Sequence, residues 1–122
     1  MPLHNERAYN EPQTVEATIA QNASLSGAVR LPPACYLSAI IMPSAWTAAN
    51  LSFQGSHANS TYNDIYDEYG SEVIINAGAS RHIVLQPAIW SGTRFLKIRS
   101  GTTGTPVTQA AERTITLIVR PY

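Results

Sequence analysis

The residues able to do chemistry in this 122-residue chain are few and scattered. His4, His57 and His82 are its three histidines, and none stands at metal-ligand spacing from another histidine or from the single cysteine. His4 lies near the start of the chain, His57 in a polar turn, and His82 beside Arg81 at the head of a strand; solvated or structural roles fit all three. Cys35 follows Pro32, Pro33 and Ala34 in an apolar run, a setting in which cysteine behaves as a small buried hydrophobe. There is no Gly-x-Ser-x-Gly elbow. The run from Gly101 to Pro106 has two glycines but neither the Lys-Ser/Thr pair nor the following helix of a phosphate-binding loop. Asp64, Asp67, Glu68 and Glu72 form the one acidic cluster. Their order departs from the calcium-binding loop, and Asp64 and Asp67 are expected on opposite faces of a strand, so the cluster reads as a solvated strand end. A glycosidase pair needs two carboxylates at a set separation across a cleft, and no spacing here specifies one. The chain is therefore expected to be no enzyme, with no catalytic residue, bound metal or cofactor.

The aromatic residues offer a different chemistry. Trp46, Tyr66 and Trp90, with Tyr62 and Tyr69 nearby, have the side chains for a platform on which a sugar ring stacks, but aromatics in small sandwiches are more often core or interface material, and that reading is preferred. Phe95, Lys97 and Arg99 share one face of a strand, but two cations are too few for a nucleic-acid strip. Three Asn-x-Ser/Thr triplets, at Asn22, Asn50 and Asn59, are read as coincidence in a Ser/Thr-rich chain.

The elements that would position these residues are short strands. Leu51 and Phe53 alternate with Ser52 and Gln54, a turn spans Gly55 to Ser60, and Tyr62 to Asp67 alternate again before Gly70. Thr14 to Ile19 alternates likewise, and Leu25 to Leu31 is a weaker strand with Gly27 at a bulge, stopped by Pro32 and Pro33. The continuous apolar run Tyr36 to Met42 predicts a central strand covered on both faces. Strands are also expected over Glu72–Asn76, Arg81–Gln86 (stopped by Pro87), Arg94–Ser100 and Arg113–Val119. In the last two, Leu96 and Ile98, and then Ile115, Leu117 and Val119, point inward. Pro43–Asn50 reads as a loop or a single helical turn, Pro106–Glu112 is a short helical candidate, and little helix is expected elsewhere. Eight to nine strands separated by Gly, Pro and Asn predict an all-β fold, an antiparallel β-sandwich of jelly-roll type with about 8 strands.

The composition narrows the partners. Eight basic residues balance eight acidic ones, so the chain lacks the electrostatic footprint expected for nucleic acid or anionic membrane. Charged residues are 13% of the chain, about half the usual share, which predicts that part of the surface is covered in an assembly. The run Ala34 to Met42 is too short to span a bilayer, and no basic-then-apolar signal opens the sequence, so synthesis in the cytoplasm is expected. Residues 1–13 are polar, carry Pro2 and Pro12, and read as an extended arm ahead of a single domain, residues 14–122. Within the arm, Tyr9 is the natural anchor for a partner, with Arg7 and Glu11 for polar contacts.

Three phrases carry a resemblance: Met42 to Ser56 (Met-Pro-Ser-Ala-Trp-Thr-Ala-Ala-Asn-Leu-Ser-Phe-Gln-Gly-Ser), Tyr62 to Gly70 (Tyr-Asn-Asp-Ile-Tyr-Asp-Glu-Tyr-Gly) and Phe95 to Thr102 (Phe-Leu-Lys-Ile-Arg-Ser-Gly-Thr). Over about Leu37 to Val119 the chain resembles small virion proteins of tailed bacteriophages, of the capsid decoration or cement type. The resemblance implies a β-sandwich on the capsid surface, bound to the major capsid protein and assembled as a homo-oligomer, a trimer above all. It implies no catalytic residues. The rival reading is a carbohydrate-binding module using Trp46, Tyr66 and Trp90, because jelly rolls also serve as sugar binders.

Overall fold

A computed structural model of the chain describes residues 11–122. Its elements are β1 (Gln13–Ile19), β2 (Val29–Arg30), β3 (Cys35–Ile41), β4 (Leu51–Ser56), β5 (Asn63–Asp64), β6 (His82–Val84), one helical turn α1 (Pro87–Trp90), β7 (Phe95–Ser100) and β8 (Arg113–Pro121). The strands form two four-stranded antiparallel sheets, ordered β1-β8-β3-β6 and β2-β7-β4-β5. First pairs with last and so on inward: β1 with β8, β2 with β7, β3 with β6, β4 with β5. The chain is one long hairpin wound into two layers, the jelly roll that the strand spacing predicts. The tip of that hairpin is the turn between β4 and β5, where Asn59 takes a left-handed conformation (φ 57°). Asn22 does the same (φ 66°) in the turn after β1; asparagine tolerates this region better than most residues.

The core lies between the inner faces. Ile115 and Leu117 of β8 share one cluster with Leu96 and Ile98 of β7, Val119 lies in a second with Leu31 and Cys35, and all five strand residues are fully buried, as their alternation predicts. Each contributes about 1.5–3 kcal/mol of apolar burial. Phe53 and Trp90 meet edge to face in the same core, with ring centroids 4.7 Å apart.

Several expectations are corrected. β3 lies between β8 and β6, but only one of its faces is covered: Tyr36 and Ser38 are half-buried and Ile41 is exposed. A bulge explains the unbroken apolar run. Leu37 pairs with Val119 and Ala39 with Ile118, so Ser38 is an extra residue, and the inward positions shift from Cys35 and Leu37 to Ile40 and Met42. Glu72–Asn76 is not a ladder strand. It makes isolated bridges, Ile75 exchanging two 2.9 Å bonds with Leu51. Leu25–Leu31 keeps only Val29–Arg30 as strand.

Helix forms in neither candidate segment but at Pro87, where proline opens a helical turn instead of merely ending a strand. Pro43–Asn50 is the loop of its two readings, and buried Gln109 ties it to the Pro106–Glu112 segment. Its side-chain carbonyl accepts from Thr47 N (2.9 Å) and its amide donates to Thr47 O (3.0 Å), so both backbone groups of Thr47 are satisfied without helical bonds. Its own backbone exchanges bonds with Asn22 and Ala23.

Candidate functional site

Polar side chains converge on the outer face of the β2-β7-β4-β5 sheet. Inward-pointing Phe53 and Ile98 are register partners, which sends their neighbours Ser52 and Arg99 outward as a facing pair. Gln54 pairs on one side with Lys97 and on the other with Asp64. Arg99 is only 8% exposed. Its guanidinium donates to the Asp64 carboxylate at 2.6 Å, to Thr103 Oγ1 at 2.9 Å and to Ser52 Oγ at 3.1 Å, with Glu72 Oε2 3.6 Å away. Glu72 accepts in turn from the Thr103 backbone and hydroxyl, and Gln54 donates to Asp64 at 3.3 Å. The Arg99 hydrogen bond holds the Asp64 carboxyl below its ordinary range, helped by the Gln54 bond and the Arg99 charge, while desolvation opposes them.

The acidic cluster is therefore split, which corrects the solvated-strand-end reading. Asp64 and Glu72 hold a buried arginine. Asp67 lies beyond β5 in a turn, where its carboxylate caps Tyr69 N (2.9 Å) and Ser71 N (3.0 Å). Among the described residues no group of three or more His, Cys, Asp or Glu is placed to hold a metal ion.

The loop that supplies Thr103 begins at Gly101, which sits at φ 93° and bridges Pro106. A Cβ there would collide with the Thr105 carbonyl and stand 2.8 Å from Val107 N. Gly101→Ala is expected to cost about 2 kcal/mol, read by urea denaturation; an unchanged midpoint would show that the loop yields freely.

Beside the network the face is basic and aromatic. Arg30 and Arg94 stand 6.0 and 5.8 Å from the Phe95 ring centroid, and Lys97 lies 4.3 Å over Tyr62. At the hairpin tip, Ser56, His57, Asn63, Asp64, Tyr66 and Thr93 help line an open groove of about 530 Å³. A second groove of about 310 Å³ passes from His57 to Cys35 and Tyr122. These surfaces offer hydrogen bonds, cations and two exposed rings, Tyr66 and Tyr122.

The proposed sugar platform does not assemble. Trp90 is 1% exposed and packed on Phe53 in the core, because the turn of α1 aims it between the sheets. Trp46 is half-buried, its indole N–H donating to Ala49 O at 3.0 Å. Tyr66, 54% exposed at the groove rim, is the one member that faces solvent. Cys35 is buried beside Leu31 and Val119; His57 and His82 are exposed. Arg7, Tyr9 and His4 lie outside the described residues. Glu11 is exposed, two residues before β1. The sequence pattern does not single out Arg99 or Gln109 as hubs; the only signal is a polar side chain at an alternating or loop position, which any surface residue gives.

Comparison with protein-family models and with curated proteins finds no match to the chain.

Proposed function

We propose that the chain is a non-enzymatic structural protein of a tailed-phage virion, made in the host cytoplasm, which decorates or cements the capsid surface as a homo-oligomer bound to the major capsid protein. The observation that carries the reading is where the three resembling phrases fall. Met42–Ser56 leads into and forms β4, Tyr62–Gly70 contains β5, and Phe95–Thr102 contains β7; these strands are neighbours in one sheet. The likeness thus falls on adjacent strands of one sheet, taking in core residues such as Phe53 and Ile98 as well as outward ones. Jelly rolls serve in viral shells and in lectins, so the fold alone does not decide between them. The main ionisable cluster is occupied in holding Arg99 and two loops, as suits a rigid part. The resemblance implies three copies.

The arm belongs to this reading. β1 is an edge strand, and in this reading the arm ahead of it adds as a strand to a neighbour's sheet. Co-sedimentation with heads of the phage that encodes the chain tests both parts. Saturable binding at a fixed ratio to the capsid subunit is expected, and deletion of residues 1–12 is expected to weaken it at least about tenfold, or about 1.4 kcal/mol. No binding by the full chain overturns the capsid reading; unchanged binding by the truncated chain makes the arm a passive tail.

The second reading, a glycan-binding module, is favoured by one observation, the exposed Tyr66 ring at the rim of the polar groove. Binding of a glycan that is lost in Tyr66→Ala would establish it.

A further inference from the structure

We infer that the outer face of the β1-β8-β3-β6 sheet is a contact surface for a second copy of this chain, the two copies meeting face to face about a twofold axis. The inference rests on the homo-oligomer of the reading above, and puts a twofold pair on this surface where the resemblance implies three copies.

The face follows from the register. With Ile115, Leu117 and Val119 pointing inward, Thr116, Ile118 and Arg120 point out. Pairing then sets outward rows across the sheet; three form the patch, and a polar fourth, Thr18 and Thr114, lies beyond them. The middle row is Thr14, Ile118, Ala39 and Val84; the row on one side is Glu16, Thr116, Ile41 and His82; the row on the other side holds Arg120 and Tyr36. Val84 is 80% exposed and Ile41 37% exposed, and Tyr36 stacks on exposed Tyr122 with centroids 5.2 Å apart. A sheet face exposed to water in a soluble protein normally alternates to polar side chains; this one presents an apolar centre and an aromatic end, the composition of an interface core.

The charges select the occupant. The face carries two full charges, Glu16 and Arg120, and neither has an ion-pair partner among the described residues. They are opposite in sign and lie in the two outer rows, on neighbouring strands. A twofold axis running across the strands through the middle row lays each strand over its own copy and exchanges the outer rows. Each Glu16 then comes beside the second copy's Arg120, Ile41 over the second copy's Tyr36, and Ile118 and Val84 over themselves. A twofold contact requires this self-complementarity, the same patch serving both sides. A trimer instead needs the patch to meet a different surface of its neighbour.

The size sets the strength. Three rows about 6.7 Å apart on four strands about 4.8 Å apart give a footprint of roughly 300–400 Å² per copy, below the roughly 800 Å² per partner of a standard interface. The pair is therefore weak and concentration-dependent.

Sedimentation equilibrium of the full chain from about 1 μM to about 500 μM is expected to show a monomer–dimer equilibrium with its midpoint in the micromolar range. Val84→Asp, at an exposed position, is expected to raise the dimer dissociation constant at least about tenfold with an unchanged circular dichroism spectrum. Glu16→Arg and Arg120→Glu each weaken the dimer, and the double exchange restores it to within about twofold. A chain that stays monomeric throughout, a trimer indifferent to Val84→Asp, or a charge exchange that does not rescue would overturn the inference. Binding to phage heads is measured separately, so loss of the twofold pair and loss of the capsid reading are told apart.

Discussion

Replacing Trp90 with alanine is expected to lower stability by about 3–5 kcal/mol, enough to bring the melting temperature down by at least about 10 °C in a domain of this size. The ring is 1% exposed and packs edge to face on Phe53, itself fully buried, in the space between the sheets. Removing it strips two layers of contacts at once and leaves a cavity that strands fixed on both sides cannot close. Trp90→Phe keeps much of the volume and the aromatic pair, and is expected to cost about 1–2 kcal/mol. Trp46→Ala removes a half-buried ring tied to its own loop by the Ala49 bond, and its cost is about 1 kcal/mol. Fluorescence gives an independent check. In a Trp46→Phe background the remaining emission comes from Trp90 and should be blue-shifted and protected from iodide. A Trp90→Ala variant that melts like the parent would mean that the ring is not a core residue, and would reopen the sugar platform.

Trp90 takes the core place that the sequence reading prefers for the aromatic residues, but how it gets there shows where that reading stops. Strands β7 and β8 were legible because strict alternation put Leu96, Ile98, Ile115, Leu117 and Val119 on one face, and all five are buried. The number of strands and the two-sheet class followed from turn spacing, since Gly, Pro and Asn mark the ends. The face of β3 was not legible, because the extra residue at Ser38 shifts the phase of the pattern, and a phase shift reads as continuous apolarity. For Trp90 the core reading holds, but the element that turns it inward was not legible, because a single helical turn opened by Pro87 is shorter than any periodic signal. The Arg99 cluster was hidden for a different reason. Its partners Ser52, Asp64 and Glu72 are 47, 35 and 27 residues away in sequence, and only the closing of β4 against β5 and β7 brings them together. The outer face of the β1-β8-β3-β6 sheet was hidden likewise: Ile118 and Val84 read as ordinary strand residues until the register set them in one row, on either side of Ala39.

That cluster carries the second large effect. Arg99→Met is expected to destabilise the protein by about 3 kcal/mol, a loss of about 10 °C in melting temperature. The methionine fills the space of the arginine stem, so the loss is electrostatic rather than a cavity. What it leaves behind is Asp64 and Glu72 facing each other across a site that Thr103 and Ser52 close off, two carboxylates without their cation. Like charges held close repel, and the loop from Gly101 to Pro106, which reaches the site through Thr103, loses one of its two anchors. Arg99→Lys keeps the charge but cannot reach Asp64, Thr103 and Ser52 together, because an ammonium lacks the planar fork; a loss of about 1–2 kcal/mol is expected. Asp64→Asn should cost less in the Arg99→Met background than in the parent, since the interaction it removes is already gone, and the difference in a double-mutant cycle should be about 1–2 kcal/mol. The pH dependence has a definite sign. The folded Asp64 carboxyl titrates below its unfolded value of 3.8, so the unfolded chain takes up the proton first as pH falls. The contribution of Asp64 is therefore complete above about pH 4.5 and is lost as pH drops through about 4 and below. The stability gap between the parent and Arg99→Met should accordingly be constant from neutral pH to about 5 and should narrow below about 4, when protonation relieves the unpaired carboxylates in the variant and removes the ion pair in the parent. Urea denaturation at a series of pH values measures that gap directly. A gap that stays constant through the acid range would show that Arg99 stabilises the sheet by packing alone, with its bond to Asp64 contributing nothing.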